Sequence, residues 1–309
     1  YRYEELIARD KENKIELAKY IEEKEGIKID PDSIFDVQIK RVHEYKRQLL
    51  NAFAILNQYY HLKDNPKEKI TPVTYIFGGK SAPGYFRAKA IIKFINELAK
   101  KINNDPDVND QMKVIFVENY NVSYAEKLFP ASDISEQIST VGKEASGTGN
   151  MKFMMNGALT LGTHDGANIE IVELAGEENN FMWGSSIKDF PATFDYYHSR
   201  WQYENVPNLK RVVDSLIDGT FDDQGTGMFR DLHNSLLNGS NWDKADAYYV
   251  LGDFDEYRKR RIDAHKAYLD KEEWSRMCWN NICQSGHFSS DRTIKQYAKE
   301  IWQIEEEPV

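Results

Sequence analysis

The sequence has few of the features that mark secreted, membrane-spanning or nucleic-acid-binding proteins. Its 309 residues include only two cysteines, Cys278 and Cys283, which stand in neither a zinc-binding nor a redox pattern. We therefore expect a reducing, cytoplasmic compartment. No apolar run approaches the roughly 20 residues that a membrane span requires, and Tyr1 begins no signal peptide. The net charge of −10 argues against a nucleic-acid partner, because such proteins normally present a basic face.

The remaining composition is that of an ordinary globular protein. Hydrophobic residues make up 41% and charged residues 29% of the chain. A chain of this length can bury a sizeable core, as one large or two modest domains. It starts at Tyr1 without methionine, inside a charged, helix-like segment, which predicts a fragment of a longer protein.

Predicted strands alternate with predicted helices through the first 185 residues. The strands are expected at residues 33–39, 71–77, 113–117, 159–161 and 181–183, and the helices at 3–25, 44–61, after Gly84, 121–128 and 166–174. This order predicts an α/β fold with a doubly wound parallel sheet, in which ligands bind beyond the carboxyl ends of the strands. We divide the chain into a helical lead-in (1–30), a Rossmann-like core (31–185) and a helical C-terminal part of the same domain (186–309).

One glycine-rich stretch, from Glu144 to Lys152, carries the strongest chemical signal. Gly147 and Gly149 allow backbone amides to approach a ligand, and the start of a short helix favours an anion such as phosphate. Lys152 stands beside four apolar residues, which would disfavour its charged form and allow condensation with an aldehyde. Those residues are Met151, Phe153, Met154 and Met155. A phosphate cradle beside such a lysine is what a pyridoxal phosphate site needs.

The glycine-rich segments also resemble commoner motifs. Most lysines are solvated surface charges, and Lys152 alone could be one. The dinucleotide fingerprint fails because Lys152 replaces its third glycine, and no Walker A sequence follows Gly142. Gly79-Lys80-Ser81 follows a predicted strand, but the earlier Walker A glycine would fall at Thr74.

A basic cluster lies between the first predicted strand and the following helix. Four cations occur within eight residues: Lys40, Arg41, Lys46 and Arg47. A solvated helix face would explain them. Cations near a helix N-terminus oppose its dipole, however, and a bound anion would offset that cost.

Two long signatures resemble those of the α-glucan phosphorylases (glycogen, starch and maltodextrin phosphorylase). One runs from Glu144 to Gly157 and continues from Gly162 to Asn168; the other runs from Asp36 to Asn51. The resemblance continues to the region of Trp302. It implies the C-terminal, pyridoxal phosphate-binding half of a GT-B type glycosyltransferase, followed by a helical C-terminal region.

The resemblance also implies roles for individual residues. Pyridoxal 5′-phosphate would form a Schiff base on Lys152, and its phosphate would contact Lys40, Tyr120, Thr148 and Gly149. Arg41 and Lys46 would bind the substrate phosphate, and Tyr45 the sugar. Glucose hydroxyls would meet Glu144, Ala145, Ser146 and Gly147. No metal is implied.

The implied reaction is phosphorolysis of terminal α-1,4-glucosidic bonds to glucose 1-phosphate, with the cofactor phosphate as acid–base catalyst. Its partners would be an α-glucan, inorganic phosphate and the missing N-terminal domain, without nucleic acid or membrane; the full-length enzyme would be a homodimer. Because the family's catalytic-loop histidine and asparagine have no counterpart here, we expect the fragment alone to be inactive. Two departures are Asn121, where animal enzymes carry arginine, and His164, where an apolar residue is usual.

Two further hypotheses stay open at this point. The chain could be a non-catalytic sugar- or phosphate-binding module that keeps the fold. It could also be a pyridoxal phosphate enzyme of amino-acid metabolism, although no recognisable motif places an aspartate to pair with the pyridine nitrogen.

Overall fold

A computed structural model describes residues 2–239 and 243–305. Within them, six strands form one parallel sheet in the order β3-β2-β1-β4-β5-β6. The strands are β1 (Ile34–Ile39), β2 (Val73–Gly78), β3 (Met112–Val117), β4 (Ile134–Gln137), β5 (Leu159–Thr163) and β6 (Phe181–Trp183). The doubly wound parallel sheet predicted from the sequence is therefore confirmed.

Helices lie between the strands and continue after the last one. Up to β6 they are α1 (Arg2–Glu25), α2 (Gln48–Asp64), α3 (Phe86–Asn103), α4 (Val122–Leu128), α5 (Gly149–Met155) and α6 (Asn168–Ala175). After β6 come α7 (Phe190–Asp195), α8 (Ser199–Asn205), α9 (Leu209–Asp214), α10 (Met228–Leu237), α11 (Phe254–Ala267), α12 (Lys271–Gln284) and α13 (Ser290–Tyr297). Shorter helical turns occur at Glu44–Lys46, Phe129–Ala131, Glu177–Asn179, Ser285–Phe288 and Ala298–Trp302.

The core forms on both faces of the sheet because adjacent residues of a strand point to opposite sides. In β1, Ile34 packs into the larger cluster with α2 and α3, whereas Phe35 packs into a second cluster with α1 and α4. In β2, Tyr75 packs into the larger cluster and Ile76 into the second cluster. Strands covered on both faces are mostly apolar, which explains why the sequence predicted β1 and β2, although β1 also buries Asp36 and Gln38.

Two local features differ from the sequence-based expectation. β4 was not predicted as a strand, because its buried sequence Ile134-Ser-Glu-Gln137 is mostly polar. The helix expected from residue 44 is also interrupted. Glu44–Lys46 forms a single 3₁₀ turn, Arg47 has a left-handed backbone (φ 60°), and α2 starts only at Gln48.

Among the described residues, none of the helices combines the length and the apolar character that a bilayer crossing demands.

Candidate functional site

A cavity of about 800 Å³ lies where the strand order reverses, beyond the carboxyl ends of β1 and β4. We call it the glycine-lined cavity. Its walls come from the ends of both strands, from the segment after β3 and from the glycine-rich loop leading into α5. Nine of the predicted site residues line it: Lys40, Lys46, Tyr120, Glu144, Ser146, Gly147, Thr148, Gly149 and Lys152.

Three predicted site residues do not line this cavity. Arg41 and Ala145 are exposed, and Arg41 uses its carbonyl oxygen to accept a bond from Gln48. Tyr45 lies nearby, with its hydroxyl 3.4 Å from each carboxylate oxygen of Glu144. The two strand ends thus converge as expected, but Arg41 lies outside the cavity lining.

Lys40 follows β1 and places an ammonium group in the cavity. Its Nζ donates to Gln137 Oε1 at 2.7 Å, and Gln137 in turn donates to Ser135 Oγ at 2.9 Å. Burial and the neighbouring Lys46 lower the pKa of Lys40 to about 8. Because the amide of Gln137 carries no charge, it leaves the Lys40 ammonium available to an anion.

Lys46, in contrast, already has a charged partner. Its Nζ lies 2.6 Å from Glu144 Oε2. Burial lowers the pKa of Lys46, but the bond to Glu144 outweighs it and the net pKa is raised. The carbonyl of Lys46 accepts a bond from Gln38 Nε2 (3.1 Å), and Gln38 Oε1 accepts one from Asn51 Nδ2 (3.0 Å). An incoming phosphate must therefore compete with Glu144 for Lys46.

Arg47, the fourth member of the basic cluster, does not contribute to anion binding. Its side chain is fully buried and donates to the carbonyl oxygens of Ile138 (2.7 Å) and Ser139 (3.2 Å). Its Nη1 lies 2.6 Å from Asp253 Oδ2. Arg47 thus joins the end of β4 to the segment before α11, and the interpretation of all four cations as an anion site is wrong for this residue.

Asp165 holds the start of the glycine-rich loop. This buried carboxylate accepts bonds from Ser139 Oγ (3.0 Å) and from the backbone N–H groups of Gly142 (3.0 Å) and Glu144 (2.9 Å). The next residue, Gly166, has φ +53°, and a Cβ there would lie 2.5 Å from the carbonyl oxygen of Ser146. The turn after β5 therefore fixes the loop that carries Glu144.

Two asparagines connect this turn to α5. Asn168 donates to the carbonyl oxygens of Gln137 (2.9 Å) and Thr163 (3.0 Å), and its Oδ1 accepts from Asn150 Nδ2 at 3.0 Å. Sequence reasoning assigned no role to Asn150, Gln137 or Asp165. Two of them have a signal in their position: Asn150 follows a glycine directly, and Asp165 lies two residues after β5. Gln137 has none, because it ends β4, which the sequence did not predict.

Lys152 lies on α5 and is exposed, with Nζ 6.0 Å from the centre of the Phe129 ring. The expected apolar shelter from its sequence neighbours is not observed. Phe153 packs on Phe129, Met154 packs with α6, and Met155 is 51% exposed. In a helix adjacent residues point in different directions, so apolar neighbours in sequence do not enclose the amine.

The two departures from the family pattern have structural roles here. Asn121 caps α4, since its Oδ1 accepts the backbone N–H of Tyr124 at 3.2 Å. His164 lies in the turn after β5, with Nε2 4.0 Å from Glu177 Oε1. Tyr120, beside Asn121, is half-buried, and this burial raises the pKa of its phenol.

Comparison with known proteins identifies relatives over almost the whole chain. The family model described as carbohydrate phosphorylase matches residues 3–304. The chain is 50% identical to glycogen phosphorylase of Synechocystis sp. over 295 residues, which cover 95% of this chain and 34% of that protein. It is 48% identical to the liver form of glycogen phosphorylase from Homo sapiens over 97% of this chain and 35% of that protein. The muscle form from Oryctolagus cuniculus is also 48% identical, over 95% of this chain and 34% of its own length. The chain thus spans about a third of the length of these relatives.

Proposed function

This chain belongs to the carbohydrate phosphorylase family, and we propose that it supplies the cofactor- and phosphate-binding half of an α-glucan phosphorylase. The reaction would be phosphorolysis of terminal α-1,4-glucosidic bonds to glucose 1-phosphate. One observation carries the proposal: three lysines and a glycine-rich loop converge on a single cavity at the strand-order reversal. The lysines are Lys40, Lys46 and Lys152.

The cavity residues fit pyridoxal 5′-phosphate, the cofactor that the family implies. Lys152 offers a primary amine to an aldehyde, and Lys40 offers a charge that forms no ion pair with any carboxylate among the described residues. We assign the remaining phosphate contacts to Tyr120, Thr148 and Gly149. When bound, the cofactor supplies a phosphate group whose second pKa near 6 suits proton exchange with inorganic phosphate.

The protein's own contribution is electrostatic. A second phosphate beside the cofactor would be strongly repelled unless cations compensate its charge. Lys40 can do so directly, whereas Lys46 must first exchange Glu144 for the phosphate. We propose that Arg41, exposed just after β1, completes this cation set when substrate binds.

The glucose unit would bind against the glycine-rich loop. We assign its hydroxyl contacts to Tyr45 and to the loop residues Glu144, Ala145, Ser146 and Gly147. Asp165 fixes this loop through the backbone N–H groups of Gly142 and Glu144, so it would position the sugar contacts without touching the sugar itself.

The rest of the enzyme would supply what this cavity does not. We propose that the family's catalytic-loop histidine and asparagine come from the N-terminal domain, so this chain alone has little or no phosphorolytic activity. The partners would be an α-glucan and inorganic phosphate, with a homodimer as the full-length form. We propose domain boundaries at residues 30 and 185. We also propose the cytoplasm as the compartment, because Cys278 and Cys283 are both unpaired.

Reduction with borohydride in the presence of pyridoxal 5′-phosphate, followed by peptide mapping, tests the cofactor assignment. A pyridoxyl label on Lys152 that is absent from Lys152→Ala but present in Lys143→Ala supports it. Lys143 is a matched control because it is also exposed and lies near the glycine-rich loop but not in the cavity wall. Label spread evenly over surface lysines would overturn the assignment and favour a non-catalytic sugar- or phosphate-binding module. Phosphorolysis of maltodextrin by the full-length protein separates the proposal from an amino-acid enzyme.

A further inference from the structure

A second cavity, of about 370 Å³, lies between α2, the segment joining α2 to β2, and α11. We call it the α2–α11 cavity. It shares no lining residue with the glycine-lined cavity, and the proposed phosphorylase chemistry does not use it. Its wall includes Arg261, one of the largest fully buried side chains of the protein.

Arg261 is a buried cation with incomplete compensation. It is 2% exposed, and its Nη1 donates to Asn51 Oδ1 (2.8 Å) and lies 3.5 Å from the Tyr257 hydroxyl. Its guanidinium carbon lies 4.9 Å from the centre of the Tyr75 ring. In residues 2–239 and 243–305, no carboxylate forms a direct ion pair with it. Burying a charge without a paired opposite charge is costly, so this arrangement favours an additional anion.

The two nearest buried carboxyl groups have other partners. Asp36 Oδ2 lies 3.2 Å from His265 Nε2, and Glu136 Oε1 accepts from the Tyr257 hydroxyl at 2.8 Å. Burial, followed by repulsion from Asp36, raises the pKa of Glu136 well above its usual range. Asp36 and Glu136 thus attract Arg261 only from beyond ion-pair distance.

The cavity wall has an excess of positive charge. Lys266 is exposed on the same wall. Of the remaining charged lining residues, Lys69 pairs with Asp110 outside the lining, Arg258 with Asp255 and His61 with Glu68. Among the described residues, Glu68 is the only carboxylate that lines the cavity, so an anion would meet little repulsion at the opening.

Apolar side chains complete the wall. Ile262 is 41% exposed and Leu269 64% exposed, and both line the cavity together with Ile70 and Ala54. Exposed apolar surface of this kind gives no stabilisation to a small hydrated ion, but it does stabilise a ligand with a hydrocarbon body.

We propose that the α2–α11 cavity binds a small organic monocarboxylate with an aromatic or branched aliphatic body. The carboxylate lies against Arg261, with Lys266 at the opening, and the hydrocarbon body packs on Ile262 and Leu269. A monoanion fits better than a phosphate dianion, because the Asp36 carboxylate, which interacts electrostatically with Arg261, repels a second negative charge.

Benzoate and its neutral analogue benzamide provide the direct test, by isothermal titration calorimetry on the whole chain without pyridoxal phosphate. We expect saturable 1:1 binding of benzoate and at least about tenfold weaker binding of benzamide, since an ionic hydrogen bond contributes roughly 1.5–3 kcal/mol. Equal binding of the two compounds, or displacement of benzoate by an equal concentration of inorganic phosphate, would overturn the proposal.

Variants at the cavity opening locate the site without disturbing the core. Ile262→Asp places a negative charge in the opening and should weaken benzoate binding at least about tenfold, whereas Lys266→Gln should weaken it about two- to fivefold. Lys259→Gln is the matched control, because it removes an exposed lysine of the same helix outside the cavity. Unchanged benzoate binding in both Ile262→Asp and Lys266→Gln would contradict the proposal. Arg261→Gln also removes a core hydrogen bond, so the test rests on the exposed positions.

Discussion

The Lys46 ammonium and the Glu144 carboxylate form a 2.6 Å ion pair inside the glycine-lined cavity. Each residue is assigned to a different part of the substrate, Lys46 to the phosphate and Glu144 to the sugar. Glu144 therefore competes with the phosphate for Lys46, and Lys46 competes with the sugar for Glu144. A Glu144 carboxylate displaced by phosphate becomes available to accept a sugar hydroxyl.

The ion pair predicts that Glu144→Gln raises the affinity of the chain for inorganic phosphate. Lys46 would lose its charged partner, and an anion would no longer compete with a carboxylate. We expect a gain of about two- to fivefold, in line with a partly exposed ion pair, measured by calorimetry at constant ionic strength. Glu118→Gln, at an exposed position outside the cavity, is the control. Unchanged or weaker phosphate binding in Glu144→Gln would contradict the competition.

Phosphate binding should also depend on pH through Lys40. Because burial beside Lys46 lowers the pKa of Lys40 to about 8, this lysine loses its charge as pH rises through that value. Affinity for inorganic phosphate should therefore fall between about pH 8 and 9, where most of the phosphate is already the dianion. Calorimetry in buffers of different ionisation enthalpy should show proton uptake on binding near pH 8.5. In Lys40→Met this proton uptake should vanish, and its persistence would assign the titration to another group.

Asp165 should control the order of the glycine-rich loop. Asp165→Ala removes the acceptor of three hydrogen bonds from Ser139, Gly142 and Glu144. Leaving buried groups unpaired costs roughly 1–3 kcal/mol of the free energy of unfolding, and the amides of Gly142 and Glu144 should exchange hydrogen faster. Asp291→Ala, on the exposed face of α13, should leave both measurements unchanged. Loop amides that stay equally protected in Asp165→Ala would show that other contacts hold the loop.

Gly79 is required for the approach of the β2 end to Lys40. Its φ is +147°, and a Cβ would lie 2.0 Å from the carbonyl oxygen of Lys40. Gly79→Ala should therefore lower the free energy of unfolding by about 1–3 kcal/mol or more, as measured by urea denaturation. Gly84→Ala is the matched control, because nothing lies within 4 Å of its Cβ position. Equal stability of the two variants would rule out this steric requirement.

The sequence predicted the parts of the fold that depend on local patterns. The apolar runs of β1, β2 and β3 were recognisable because both faces of these strands are buried. β4 was not, because Glu136 gains its partner Tyr257 only from a position 121 residues later in the chain. Buried polar residues of this kind become intelligible only when the distant donor is known.

The candidate site was predicted residue by residue more successfully than in its electrostatics. Nine of the twelve predicted site residues do line one cavity. The sequence could not reveal that Arg47 is committed to Asp253, 206 residues away, or that Glu144 neutralises Lys46 across 98 residues. It also could not show that Lys152 is exposed, because adjacency along a helix does not determine which side chains surround an amine.

Asn51 accepts a bond from Arg261 at one end of its amide and donates to Gln38 at the other, and Gln38 in turn bonds the backbone of Lys46. A single amide thereby supports the walls of two separate cavities. Engineering either pocket must leave this position intact, since even Asn51→Asp would turn the donor facing Gln38 into an acceptor and place two acceptors face to face.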